Sequence, residues 1–301
     1  MSVLLRYERR QVDGRDDPII TLHLHQAERP LVVLDRALLE SIDATLDAIL
    51  DDTSGRLAGF VLASDSRVFV AGADLKQIMG LDDPGLHEYL AFGSSVYGRI
   101  ATLPCTTVAA INGAALGGGL EIAMHCDHLI AAAPQPKEPG GEIKPYQVGL
   151  PEAGLKICPG WGGTTLLPAR MDPARAFEMT ATGRTMTVHD AAEAGLIEEL
   201  VEPATLLDRA ATLAATPKAT PRGEPVSIAE PDRRDAARQA LAQASLPDNG
   251  PGEAIRACAE AGFGEGWQAA LACERDWLVR LRNTDAGRGA IEAFFARTAA
   301  R

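Results

Sequence analysis

One arrangement of residues recurs three times in the first half of this chain. An apolar stretch of strand length, Gly59-Phe60-Val61-Leu62-Ala63, leads into a turn of small residues, Val70-Ala71-Gly72-Ala73-Asp74-Leu75. Thr106-Thr107-Val108-Ala109-Ala110-Ile111 then leads into Gly113-Ala114-Ala115-Leu116-Gly117-Gly118-Gly119-Leu120-Glu121-Ile122. A third pass, His128-Leu129-Ile130-Ala131-Ala132, reaches Gly149-Leu150-Pro151-Glu152 after an interruption. Strand, glycine turn, helix start is a unit that cannot bury its apolar face alone and must stack on its copies. The lack of alternation at 57–63 marks a strand covered on both faces. A β/α core built of repeats is therefore expected.

The flanking segments extend this reading. Ile20, Leu22 and Leu24 alternate across 19–25, as in a half-buried strand. Asp35 is placed to cap a helix whose apolar positions are Leu39, Ile42, Leu46, Ile49 and Leu50, and the pattern stops near 51–55. Prolines and glycines across 133–147 mark a surface loop, and Gly195 ends a short helix at 190–196. A proline-rich linker at 216–231 precedes helical patterns at 232–245, 252–261, 267–281 and 287–297. The expected organisation is a core over 1–205 and a helical region over 206–301.

Composition narrows the functional classes. Hydrophobic residues make up 46% of the 301 and charged residues 23%, which fits a folded globular chain. A net charge of −12 disfavours nucleic acid as partner, because displacing counterions from phosphates needs many basic side chains. No apolar run is long enough to span a bilayer, so no membrane association is expected. The N-terminal residues show no long apolar core, which points to the cytoplasm. Five cysteines without a Cys-x-x-Cys pair read as free thiols in a reducing compartment.

Three glycines in a row, Gly117 to Gly119, are poor helix residues and suit a backbone that approaches something closely. A helix starting at Gly118 or Gly119 would aim free N–H groups at a developing oxyanion. The same glycines also suit a tight turn that packs the helix on its strand. The turn at Val70-Ala71-Gly72-Ala73-Asp74 could offer a second N–H, or could simply be compact, with Asp74 as cap. Glu121 and Glu152 each sit in an apolar frame. A lone helical glutamate is usually turned to solvent, whereas a buried pair of carboxyls serves to move one proton on and another off. No phosphate-loop, dinucleotide or nucleophile-elbow motif is present. His125 and His128 lack an accompanying acidic ligand set, so no metal is expected.

At these residues the chain resembles the enoyl-CoA hydratase (crotonase) superfamily. The likeness runs through 67–76, 104–127, 148–164 with Pro159-Gly160-Trp161-Gly162-Gly163-Thr164, and 191–197. Gly262 to Glu274 and Gly289 to Arg297 look like the end of the hydratase part of bacterial multifunctional fatty-acid oxidation proteins.

The resemblance implies a spiral of ββα repeats and a helical C-terminal region that builds trimers or dimers of trimers and closes the substrate pocket. It implies an acyl-CoA thioester as substrate, with no separate cofactor. The thioester oxygen would lie between the N–H groups of Ala73 and Gly118, with Glu121 and Glu152 as catalytic acids. Ala71, Ala73, Asp74, Leu75, Lys76, Gly117 and Gly118 would line the CoA site. Hydration of a trans-2-enoyl-CoA in fatty-acid or related acyl-CoA degradation is the expected reaction, with a 3-hydroxyacyl-CoA dehydrogenase as a fitting partner. The alternatives are a Δ3–Δ2-enoyl-CoA isomerase, or other enolate chemistry on a CoA thioester, and a catalytically silent scaffold. The acidic charge and the intact glutamate pair weigh against the scaffold. The 133–147 interruption, just before Glu152, is the main departure from the family pattern.

Overall fold

The computed structural model describes residues 3–12, 14–136, 138, 140–218 and 223–299. Lys137 and Pro139 of the interrupting loop, and 219–222 of the proline-rich linker, lie outside the described residues. The strands are β1 (Tyr7–Val12), β2 (Arg15–Leu24), β3 (Gly59–Ser64), β4 (Thr107–Ile111), β5 (Ala115–Leu116), β6 (His128–Ala132), β7 (Gln147–Gly149), β8 (Thr185–Thr187) and β9 (Glu199–Val201). The helices are α1 (Arg36–Asp52), α2 (Leu75–Gly80), α3 (Asp83–Ala101), α4 (Gly118–Met124), α5 (Gly163–Arg170) and α6 (Pro173–Thr182). They continue with α7 (Val188–Glu193), α8 (Leu206–Ala214), α9 (Pro231–Gln243), α10 (Gly250–Glu265), α11 (Trp267–Arg282) and α12 (Asp285–Ala299).

The chain divides into two compact units, each assembled from three stretches. The first takes 1–72, 95–148 and 186–225, the second 73–94, 149–185 and 226–301.

The first unit holds a six-stranded sheet in the order β1-β2-β3-β4-β6-β9. β1 and β2 form an antiparallel hairpin, and every later neighbour is parallel. The three repeats seen in the sequence are thus three adjacent strands, with Val61 opposite Val108 and Val108 opposite His128. All six residues of β3 are buried, as its unbroken apolar run requires. On one face Val61, Ala63, Val108, Ala110 and Ile130 meet Leu206, Ala210, Ala211 and Ala214 of α8. Contact there is close enough that a Cβ on Gly59 would lie 2.4 Å from the Ala214 carbonyl oxygen. The alternate residues Phe60, Leu62, Ala109 and Leu129 are equally buried. A second, three-stranded sheet has the order β5-β7-β8.

Local signals set the helix ends as the sequence suggests. Asp35 caps α1 by accepting from the Leu38 N–H at 2.8 Å. Asp74 caps α2 by accepting from the N–H of Lys76 at 2.8 Å. The short helix α7 starts earlier than the apolar pattern implies, because Thr187 and Asp190 form a reciprocal capping box.

The second unit is helical apart from strand ends. α10 and α11 form a hairpin joined at Gly266, whose φ of +92° suits glycine. Trp161 is buried there, donates to the Leu90 carbonyl at 3.0 Å and meets Tyr89 edge-on at 5.5 Å. It fits because residue 93 is glycine: a Cβ there would lie 2.3 Å from the indole nitrogen.

Candidate active site

The predicted site residues divide between the two units. Ala71, Gly117, Gly118 and Glu121 belong to the first, and Ala73, Asp74, Leu75, Lys76 and Glu152 to the second.

In the first unit the triple glycine lies at the start of α4. α4 begins at Gly118, and Gly117 before it takes φ +53° while its carbonyl accepts from the N–H groups of Leu120, at 2.8 Å, and Glu121, at 3.0 Å. Gly119 provides the close packing. A Cβ there would lie 2.5 Å from the Val70 carbonyl oxygen. Val70 itself is held by a parallel bridge to Ala115, with N–H and carbonyl bonded to Ala114 and Leu116, each at 3.2 Å. The next turn is fixed to the 32–34 segment, where the Ala71 N–H donates to Val32 at 2.8 Å and Leu34 donates to Gly72 at 2.9 Å. Gly72, at φ +109°, makes that reversal possible.

Glu121 lies in α4 and is 1% exposed. It is not the solvent-facing glutamate that a lone acid on a helix usually is. Two aromatic residues brace its helix. His125 Nδ1 donates to the Glu121 carbonyl at 2.8 Å, and the Tyr97 hydroxyl donates to the Gly118 carbonyl at 3.4 Å. Both residues are buried. The spacing of His125 to His128 suggests no more than half of a metal pair, whereas its distance of four residues from Glu121 is the sequence signal for this role.

In the second unit Asp74 is 6% exposed and is used as a cap, while Lys76 is exposed. Arg282, on α11, closes the other end of this segment. It donates to the carbonyls of Ile78 and Leu81 and to Asp83. Glu152 opens a 3-10 turn, Glu152–Leu155, that follows Pro151. The turn is pressed against Gly183 at the end of α6, where a Cβ would lie 2.4 Å from the Gly154 nitrogen. Glu152 Oε2 is buried with no hydrogen-bond partner. Burial first, and the charge of Glu274 as well, push its carboxyl up to about 8.

Glu274 is a functional candidate to which the sequence patterns assign no role. It is 0% exposed and accepts from the N–H groups of Gly162, at 2.6 Å, and Thr164, at 2.9 Å, and from the Thr164 hydroxyl. Burial raises its carboxyl, and those three donors oppose the rise.

Among the described residues no group of three His, Cys, Asp or Glu side chains could hold a metal, and no helix is long and apolar enough to cross a membrane.

Comparison with known proteins agrees with this architecture. The family described as enoyl-CoA hydratase/isomerase matches residues 18–244. YngF of Bacillus subtilis (strain 168), named for the same hydratase/isomerase group, is 35% identical over 197 residues, covering 65% of this chain and 70% of YngF. The crystal structure of enoyl-CoA hydratase from Bacillus anthracis is similar at TM-score 0.55 and 27% identity, over 93% of each chain. Human mitochondrial delta3-delta2-enoyl-CoA isomerase superposes at TM-score 0.67 over 98% of each chain, at 20% identity, a likeness of fold alone. The chain belongs to the enoyl-CoA hydratase/isomerase family, and its fold is that of the crotonase superfamily.

Proposed function

We propose that this protein is an enoyl-CoA hydratase, which adds water to a trans-2-enoyl-CoA to give a 3-hydroxyacyl-CoA in fatty-acid or related acyl-CoA degradation. The observation that carries the reading is the second acid. Glu121 is buried at the start of α4, in addition to Glu152. Moving a double bond within a substrate needs one carboxyl to take and return a proton, whereas adding water calls for one group to take a proton and another to give one.

In this reading the N–H groups of Ala73 and Gly118 hold the thioester oxygen. Glu121 accepts a proton from water as its oxygen bonds to the β-carbon. The electrons of the double bond move towards the thioester oxygen, whose enolate charge the two amides stabilise. Glu152, holding the same water, gives its proton to the α-carbon. A Glu152 carboxyl pushed up to about 8 supports this role, since it keeps its proton at neutral pH. Ala71, Asp74, Leu75, Lys76 and Gly117 are assigned to the CoA moiety, with Lys76 supplying local positive charge on an acidic chain. No cofactor besides the CoA of the substrate is assigned. The helical tail is assigned to assembly as a trimer or dimer of trimers, and a 3-hydroxyacyl-CoA dehydrogenase would consume the product.

Purified protein with crotonyl-CoA should bleach the conjugated enoyl-thioester absorbance. Glu121→Gln and Glu152→Gln should each lower that rate by about 10²–10⁴-fold. Turnover confined to a 3-enoyl-CoA and surviving Glu121→Gln would make the protein an isomerase. No turnover and no CoA binding would leave a scaffold.

A further inference from the structure

The second unit buries a carboxylate that the proposed chemistry does not use. Glu274 comes from the tail helix α11 and reaches the start of α5, 110 residues earlier in the chain. Its three bonds all take it as acceptor, one oxygen serving the Gly162 N–H and the other both donors of Thr164. An acceptor-only pattern of main-chain and hydroxyl donors suits an ionised carboxylate, and the N-terminal end of α5 adds its dipole. The Glu274 carbonyl in turn lies 3.8 Å from the Cys158 sulfur, as acceptor. Gly160 is close-packed on Leu278 of the same helix, and Gly162 on Trp267. The segment 158–164 that follows Glu152 is thus laid along α11, with Glu274 at its centre.

Glu152 is the opposite case. Its buried Oε2 has no donor. Two neighbouring buried carboxyls do not both ionise readily, and the one with donors takes the charge. Among the described residues the outside charge acting on Glu152 is that of Glu274. Helices α6 and α12 also pack against its turn and carry Arg175, Glu178, Asp285, Arg288, Glu292 and Arg297. Glu274 itself is faced by the Arg275 charge, which favours its ionised form, and it bears on the thiols of Cys258 and Cys273.

We propose that Glu274 is a positioning residue for Glu152: a buried negative charge, carried by the tail, that fixes the 158–164 segment on α11 and keeps the neighbouring carboxyl in its proton-giving form. The proposal rests on the reading of Glu152 as proton donor.

The test is the pH dependence of crotonyl-CoA hydration. Glu274→Gln removes the charge, so the alkaline limb of kcat/KM should move down by about one pH unit or more. Glu274→Asp keeps the charge and should hold the limb in place. Thr164→Val removes one bond to Glu274 but not its charge, and should also leave the limb unmoved. A Glu274→Gln limb that coincides with the wild type would reduce Glu274 to a structural brace and overturn the proposal.

Should Glu274→Gln fail to fold, carbon-13 NMR of carboxyl-labelled glutamate decides the question on wild type and Glu152→Gln. The signal lost in Glu152→Gln should titrate near 8 in the wild type. The Glu274 signal should titrate below that of Glu152, and alike in wild type and Glu152→Gln, because Glu152 is still neutral while Glu274 ionises. A Glu152 signal in the ordinary carboxylate range, or a Glu274 signal that titrates above it, refutes the proposal. This titration needs no turnover, so an enzyme inactive on crotonyl-CoA would defeat the hydratase reading and leave the coupling to its own result.

Discussion

Tyr97 stands edge-on to His125, with ring centroids 5.3 Å apart and planes at 71°. Edge-to-face pairs of this kind contribute about 0.5–1.5 kcal/mol beyond their burial. Here the pair also holds the backbone of α4 at Gly118 and at Glu121. His125→Ala should cost about 2–3 kcal/mol, by loss of packing and of the donor to the Glu121 carbonyl. Tyr97→Phe keeps the edge contact, loses the long bond to the Gly118 carbonyl, and should cost less than about 1 kcal/mol. Urea unfolding measures both, and crotonyl-CoA hydration should show kcat falling further in His125→Ala than in Tyr97→Phe.

The Glu152 carboxyl predicts an unusual pH dependence of stability. Its folded-state value of about 8 lies above the ordinary 4.5, so the folded protein holds this proton more tightly than the unfolded chain. Its contribution is therefore fully favourable below about 4.5 and is lost as pH rises towards about 8. Glu152→Gln, which cannot ionise, should gain stability relative to wild type as pH is raised through that window. Thermal unfolding of both proteins at pH 5, 7 and 9 checks this, and equal differences at all three values would contradict it.

Two glycines should respond to alanine in opposite senses. Gly119→Ala places a methyl group 2.5 Å from the Val70 carbonyl oxygen, so α4 must shift. Such overpacking costs about 1–3 kcal/mol, and hydration should fall with it because Gly118 and Glu121 move too. Gly98 lies inside α3 with open space where its Cβ would be. Gly98→Ala should raise stability by about 0.5–1 kcal/mol through helix propensity and leave activity alone. Denaturant midpoints and initial rates of the two variants give the comparison.

Lys218 anchors the start of β4. Its side chain is 6% exposed, its ammonium lies 3.2 Å from Asp127, and it donates to the carbonyls of Ala101 and Leu103. The same Asp127 oxygen accepts from the N–H and hydroxyl of Thr107. Lys218→Met strands a partly buried carboxylate and two carbonyls, and should cost about 3 kcal/mol. Equilibrium unfolding reads this loss, and Lys218→Arg should recover part of it if charge rather than shape is what matters.

The sequence by itself determined what depends on near neighbours in the chain. The Asp35 and Asp74 caps, the turn at Gly72, the helix start at Gly118 and the unbroken apolar run of β3 each follow from a few adjacent residues and their backbone preferences. The three repeats became adjacent parallel strands because each apolar strand can cover its faces only by stacking on its copies. The family likeness rested on the same stretches. Only the tertiary structure decided the environment of the acids. That Glu121 is buried, that Glu152 carries an orphaned oxygen, and that Glu274 spends its carboxylate on Gly162 and Thr164 depends on which helices cross in space. Periodicity reports the apolar face of an element, whereas the partner of a buried polar group is set by whichever distant element packs against it.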